Sequence, residues 1–427
     1  MAHTIFALSS GTPPAAIGVI RISGPGAGLA LQQLAGRTPP ARRATLALLR
    51  DPATGEPLDR ALLLWFPGPD SATGEDLAEL HCHGGRAVVA AVEASLGAIE
   101  GLRPALPGEF TRRAFDNGRM DLNAVEGLAD LLAAETQSQR RAALAMAEGH
   151  FSRRIEGWQV ALLRLSAMVE AALDFSDEDD VPDAGIEQRI GEEIASLATD
   201  VEKELARPSA ERLRQGISVV LAGPPNAGKS TLLNAVAGRD AAIVSDIAGT
   251  TRDRIEVPVA IGGIPFLLTD TAGLHDGTGD AIEAIGMERA RDALAAADVI
   301  LWLGDPAAPP RDDAILIAAQ CDRPSHHSSS VALDLSAVSG EGMVALNAIL
   351  LDRARALLPG EGDYALEARQ RGGVALLLSH LHAASGDDLL IVAEELRGAR
   401  RTIDQLTGRA STEDMLDALF GGFCIGK

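Results

Sequence analysis

The chain has 427 residues, 46% of them hydrophobic and 3% aromatic, with 60 acidic against 38 basic residues and a net charge of −22. That length fits two or three domains rather than one core, with interiors built mainly from Leu, Ala, Val and Ile. The charge excludes polyanion binding through net attraction and leaves any nucleic acid to local arginine pairs, a pattern that a solvated helix face also produces.

Those pairs are Arg112-Arg113, Arg140-Arg141 and Arg153-Arg154. No run of 18 apolar residues occurs, and the start MAHTIFALSSGTPP has neither a charged n-region nor a long h-region, so a soluble protein without a membrane role is expected. Cys82, Cys321 and Cys424 are scattered and odd in number, which points to a reducing cytoplasm.

In chain order, residues 1–118 carry AIGVIRISG and ALLLWFPGP, which read as strands, and AVVAAVEASLGAI, which reads as a helix; this is an α+β pattern. His81-Cys82-His83 would put both histidines on one strand face, but no second cluster with metal spacing accompanies them, which favours pocket lining or structure. Residues 119–215 repeat Leu122, Val125, Leu128, Leu131 and Leu132 at helical spacing. The acidic run Asp177 to Asp180 reads as a solvated loop. Residues 216–354 alternate strands (ISVVLAG, IPFLLTD, ADVILWLGD) with helical stretches, as in a parallel α/β sheet. Residues 355–427 return to helical spacing at Leu389, Val392, Leu396, Ile403 and Leu406, so one helical domain interrupted by an insertion is expected. Ser411 and Asp414 form a capping-box pattern for a last helix that Gly421-Gly422 would end, leaving Phe423 to Lys427 as a short extended arm.

The strand ISVVLAG runs into GPPNAGKS, Gly223 to Ser230, and then into the apolar helix starting at Thr231. This is the phosphate-loop pattern in its strand–loop–helix context. Asn226, Ala227 and Gly228 supply backbone around the phosphates, Lys229 reaches the β and γ phosphates as a point charge, and Ser230 ligates Mg²⁺. The chain keeps only three lysines, Lys203, Lys229 and Lys427. Asp270, Thr271, Ala272 and Gly273 (DTAG) follow IPFLLTD and suit an outer-shell Mg²⁺ carboxylate and an amide facing the γ-phosphate. Between them lie Ser245, Asp246, Ile247, Ala248, Gly249, Thr250 and Thr251, with Thr251 as the switch threonine. Asp322 and the Ser336-Ala337 pair stand where guanine is read and covered, so GTP is preferred to ATP. Leu274 occupies the place of a water-orienting glutamine. A monovalent cation held by Asn226, Ser245 and Ile247, and water positioned by Glu283, would replace it, although an exposed helix carboxylate is the plainer reading of Glu283.

The phosphate loop with Asn226, the GTTRD and DTAGL motifs, the IRISG and PGEFTRRAF stretches and the terminal FCIGK together resemble the MnmE (TrmE) tRNA-modification GTPases. The resemblance implies an α+β N-terminal folate-binding and dimer-forming domain, a discontinuous helical domain, and an inserted Ras-like, potassium-activated G domain. It also implies a homodimer working with the FAD-dependent protein MnmG on C5 of the wobble uridine of certain tRNAs. By the same resemblance, K⁺ is held by Asn226, Ser245, Ile247 and Thr250, Mg²⁺ by Ser230 and Thr251, and Glu283 is the catalytic glutamate. Arg21, Glu79, Arg119 and Lys427 match the pocket for 5-formyl-tetrahydrofolate or a related one-carbon folate, with Cys424 beside it. Where the family has Asn-Lys-x-Asp, this chain has Ala319-Gln320-Cys321-Asp322, so weaker nucleotide affinity or faster exchange is expected. Asp305 to Ala319 is too short for a full crossover helix. A ribosome-associated GTPase and a lipid-anchored one are the alternatives, the second read from the cysteine fourth from the end.

Overall fold

The computed structural model describes residues 3–175, 185–239, 256–271, 290–323, 333–360, 362–386, 388–410 and 413–426. The chain divides into two compact units, one of Met1–Ala129, Ser152–Glu156 and Arg400–Lys427, the other of Asp130–Phe151 and Gly157–Ala399.

In the first unit, period-two alternation decides which face each side chain takes. The strands are β1 (Thr4–Leu8), β2 (Ile17–Ser23), β3 (Thr45–Arg50), β4 (Pro57–Phe66), β5 (Leu77–His83) and β6 (Leu102–Pro104), in the order β3-β4-β5-β2-β1-β6. All neighbours are antiparallel except β1 and β6. Ile20, Ile22, Leu63 and Leu80 face the helices Ala27–Ala35 and Arg86–Gly97, which bury Leu31, Leu34, Val92 and Leu96 against them. Each such fully buried side chain contributes about 1.5–3 kcal/mol. Register places Ala7 opposite Arg21 and Arg21 opposite Glu79, so these three share the other face. There Phe110, from the helix Glu109–Asp116, packs on Ile5 and Ala7. A third cluster joins Leu122 and Val125 to Leu416 and Phe420 of the helix Glu413–Gly421, and to Phe423.

In the second unit, the strands are β7 (Ile217–Ala222), β8 (Glu256–Ile261), β9 (Ile264–Asp270), β10 (Val299–Trp302), β11 (Ile315–Ala319) and β12 (Leu333–Leu335), in the order β12-β11-β10-β7-β9-β8. Every pair is parallel except the β8–β9 hairpin. Val219 and Leu221 are buried on one side of β7 and Val220 and Ala222 on the other, as a central parallel strand requires. This order, with a phosphate loop after the central strand and one antiparallel edge, is the Ras-like arrangement. Turns alone join β10 to β11, as the short Asp305 to Ala319 stretch led us to expect.

Helical spacing is realised in the chain before and after this sheet. The helix Ile186–Leu205 buries Ile190, Ile194, Leu197 and Val201, and the helix Ala368–Ala383 buries Val374, Leu377 and Leu381. Arg371 of the second donates to the carbonyls of Leu205 (2.9 Å) and Arg207 (2.8 Å) at the end of the first, while His382 meets Glu202 at 3.2 Å. The helix Gln137–Ala147 opens with a capping box between Thr136 and Gln139. Its Ser138 amide donates to the Gly263 carbonyl in the β8–β9 turn at 3.1 Å. No helix among the described residues is long and apolar enough to cross a membrane.

Candidate nucleotide and N-terminal sites

The buried strand β7 delivers the chain to Gly223, whose φ of 152° and tight approach to Leu303 (a Cβ would stand 3.1 Å from its carbonyl carbon) exclude a side chain. Asn226 at φ 63° and Gly228 at φ 96° continue the loop through left-handed backbone. The helix Lys229–Arg239 then starts, so its amino end faces the loop. Lys229 is only 5% exposed, and its Nζ donates to the carbonyls of Gly223 (2.8 Å) and Pro224 (2.9 Å). Burial lowers its pKa, and the charge of Asp270 pulls the other way. A partly desolvated ammonium at a helix amino end is built to meet an oligophosphate.

Ser230 Oγ donates to Asp270 Oδ2 at 2.5 Å, and Asp270 is buried at the end of β9. Thr271 Oγ1 donates to the Leu221 carbonyl at 2.9 Å and ties β9 to β7. A hydroxyl and a carboxylate in contact beside a phosphate loop are hard oxygen groups of the kind that suit Mg²⁺ and its bound waters. At the end of β11, Gln320 also adopts left-handed backbone, φ 63°, and its Nε2 donates to the Asn226 carbonyl at 3.4 Å. The Cys321 amide donates to the Leu335 carbonyl at 3.2 Å, and exposed Asp322 follows. Buried Ser336 closes the next loop, its Oγ accepting from the amides of Val338 (3.2 Å) and Ser339 (3.0 Å), with Ala337 between them. Ser245, Asp246, Ile247, Ala248, Gly249, Thr250, Thr251, Ala272, Gly273, Glu283 and Lys427 lie outside the described residues.

In the first unit, Arg21 reaches Glu79 Oε1 through Nη2 at 3.1 Å and Nε at 3.3 Å, while His81 Nε2 stands 3.1 Å from Glu79 Oε2. The Arg21 guanidinium lies 5.8 Å from the Phe110 ring centroid. Glu79 and Arg119 line one cleft of 410 Å³ with Phe66, Leu77, Asp70 and Arg42. His83 binds Asp59 at 2.7 Å, and no group of three metal-ligating side chains occurs among the described residues.

The PGEFTRRAF stretch carries a network that reaches beyond its own helix. Glu109 accepts from Arg103 (2.5 and 2.8 Å) and Arg113 (3.2 Å), and Arg113 also donates to Glu75 (2.9 Å). Burial opposes ionisation of Glu109, but the Arg103 bonds, the Leu106 amide and Arg113 outweigh it and hold its pKa low. Arg112 pairs with Glu413 (2.5 Å) and Asp417 (2.7 Å), so this arginine pair binds the protein itself.

The tail corrects one expectation. Phe423 is buried, but its amide donates to the Phe420 carbonyl and a turn follows, with Gly426 at φ 95°; this is not an extended arm. The Gly426 carbonyl accepts from Ser9 Oγ at 2.9 Å, just beyond β1, whereas Cys424 and Ile425 are exposed. Its bond to Ser9 and its packing on Leu122 and Val125 come from residues far away in sequence, which local spacing could not show.

Two family models match the chain, the N-terminus of the GTP-binding protein TrmE over residues 4–119 and the MnmE helical domain over residues 122–424. A tRNA modification GTPase MnmE from Rhizorhabdus wittichii is 62% identical over 427 residues, 99% of this chain and 96% of that protein. The protein of the same name from Erythrobacter litoralis is 58% identical over 427 residues, all of both chains. Among solved structures, the G domain of the T. maritima FeoB iron transporter is 26% identical, covering 32% of this chain and 98% of that one with a TM-score of 0.25. With the helical-domain model spanning most of its length and full-length relatives above half identity, the chain belongs to the MnmE family of tRNA modification GTPases.

Proposed function

We propose that this protein is a potassium-activated GTPase of the cytoplasm that works as a homodimer with the FAD-dependent protein MnmG. Together they add a carboxymethylaminomethyl-type group to C5 of the wobble uridine of certain tRNAs, using a folate-borne one-carbon unit. The observation that carries the reading is the Lys229 and Ser230–Asp270 constellation at the head of one helix, in a chain with MnmE relatives along its whole length.

Lys229 gives up its loop carbonyls for the β and γ phosphates. Ser230 and Thr251 hold Mg²⁺, with Asp270 behind Ser230. Asn226, Ser245, Ile247 and Thr250 hold K⁺. Bound metal ions supply positive charge where the bond between the β and γ phosphates breaks. Glu283 orients the water that attacks the γ-phosphorus, and GTP and water become GDP and phosphate. Ser336 and Ala337 shape the guanine side with Asp322. In the N-terminal unit Arg21, Glu79, Arg119 and Lys427 hold the folate. Gly426 bonds to Ser9, next to the strand whose Ala7 pairs with Arg21, which supports a place for Cys424 beside that pocket.

The test is GTPase rate in K⁺ against Na⁺ for the native protein and for Asn226→Ala. Potassium is expected to raise the native rate about a hundredfold, the order given by one transition-state charge contact, and the variant is expected to lose that response. Equal rates in both salts would remove the cation from the mechanism.

A further inference from the structure

We propose that Arg42 and Arg119 form an anionic-tail subsite that selects folates carrying more than one glutamate. This inference rests on the folate reading of the N-terminal site.

The cleft of 410 Å³ is lined by a largely buried carboxylate, Glu79, and by the more exposed Arg119 and Asp70, with Arg42. Its size is that of a small-molecule pocket. At the inner end, the Glu79 side chain is 16% exposed and already neutralised by Arg21 at 3.1 Å. A carboxylate there accepts from the N–H edge of a heterocycle. At the outer end, Arg119 is 43% exposed and Asp70 is 81% exposed, with 3.8 Å between them. Their attraction at that distance and exposure is weak, so the guanidinium can exchange Asp70 for a ligand carboxylate.

Arg42 completes this end. Its backbone is left-handed, φ 59°, and its amide donates to the Trp65 carbonyl at 2.8 Å, which fixes it at the end of β4. Its guanidinium lies 5.8 Å from the Phe66 ring centroid and donates to the Asp70 carbonyl. Phe66 pairs with Leu77 in the β4–β5 register, two residues along β5 from Glu79, or about 7 Å. Phe66 therefore lines the path between the carboxylate that suits a heterocycle and the two guanidiniums that suit carboxylates. A cation held over an aromatic ring is pre-organised, so little side-chain entropy is lost when an anion arrives. A single glutamate brings an α- and a γ-carboxylate to this end of the cleft; each further γ-linked glutamate adds one more, so a longer tail can keep carboxylates on both arginines at once.

The experiment measures binding of 5-formyl-tetrahydrofolate with one and with three glutamates to the full-length protein by calorimetry, at low and high salt. Thermal unfolding followed by circular dichroism is the control that each variant is folded. The native protein is expected to bind the triglutamate roughly three- to tenfold more tightly, with the preference shrinking at high salt. Arg42→Ala should abolish most of that preference while keeping monoglutamate binding, Arg42→Lys should keep part of it, and Asp70→Asn should enlarge it. Equal affinity for the two ligands, or a native-like preference in Arg42→Ala, would overturn the subsite alone. Failure of the native protein to bind either ligand would overturn the folate reading and the subsite with it. If Arg42→Ala weakened tRNA binding and left the tail preference intact, the arginine would belong to a nucleic-acid surface and the proposal would fall.

Discussion

The three cysteines differ by environment more than by sequence context. Cys82 faces the helix-covered side of β5 at 2% exposure, and burial, with the charge of Asp59 adding to it, pushes its pKa up to about 12. The Cys321 thiol is also raised, first by burial and then by Glu341. Cys424 is exposed. Because the thiolate is the reactive form, limited iodoacetamide at pH 8 should label Cys424 first, Cys321 more slowly, and Cys82 only after unfolding. Peptide mapping by mass spectrometry checks this order, and labelling of Cys82 in the native protein would contradict its place under the helices. The Lys229 contacts belong to the same scale. The loop pattern named the lysine from sequence, but its pairing with the Gly223 and Pro224 carbonyls depends on left-handed turns at Asn226 and Gly228 that only the folded loop displays. Gln320 was recognisable as a departure from lysine; its bond to the Asn226 carbonyl requires β11 and β7 to lie on either side of β10 in one sheet.

At the scale of elements, the helix Glu109–Asp116 shows how a local motif acquires distant partners. The Glu109–Arg113 pair spans i and i+4 and could be read from spacing. Arg103 and Glu75 could not, because the turn after β6 and the loop before β5 bring them in. The low pKa of Glu109 has a thermodynamic consequence. Its ordinary value of 4.5 applies in the unfolded chain, so the folded state binds its proton less tightly and is stabilised above that pH. The contribution is lost as pH falls below 4.5 through the folded-state value. Glu109→Gln should therefore destabilise this region by about 2 kcal/mol at pH 7 and by much less at acid pH. Hydrogen exchange of residues 102–116, compared between variant and native protein at each pH, measures the difference. A penalty that stayed constant down to acid pH would show that packing rather than charge is responsible.

For the whole molecule, the phosphate loop and the terminal cysteine belong to different compact units. Cys424 is exposed, while neighbouring Phe423 and Gly426 hold the tail to its own unit. Cys424→Ser should therefore leave GTP hydrolysis within about twofold, as is usual for surface changes, while tRNA modification falls at least about tenfold. Hydrolysis assays and nucleoside analysis of treated tRNA separate these readouts. Loss of both activities would mean that the residue holds the structure together instead.

The sequence by itself determined the elements and their chemistry. Period two in IGVIRIS, period 3.6 around Leu122 and Leu396, and the strand–loop–helix setting of Lys229 are all local properties of the backbone and its side chains. Tertiary structure decided which distant groups meet. Arg21 finds Glu79 because antiparallel register sets them opposite each other, and the Gly426 carbonyl meets Ser9 across 417 residues of chain. Contacts of that kind depend on register and on the packing of apolar layers across the whole unit, and no short window of sequence contains both partners.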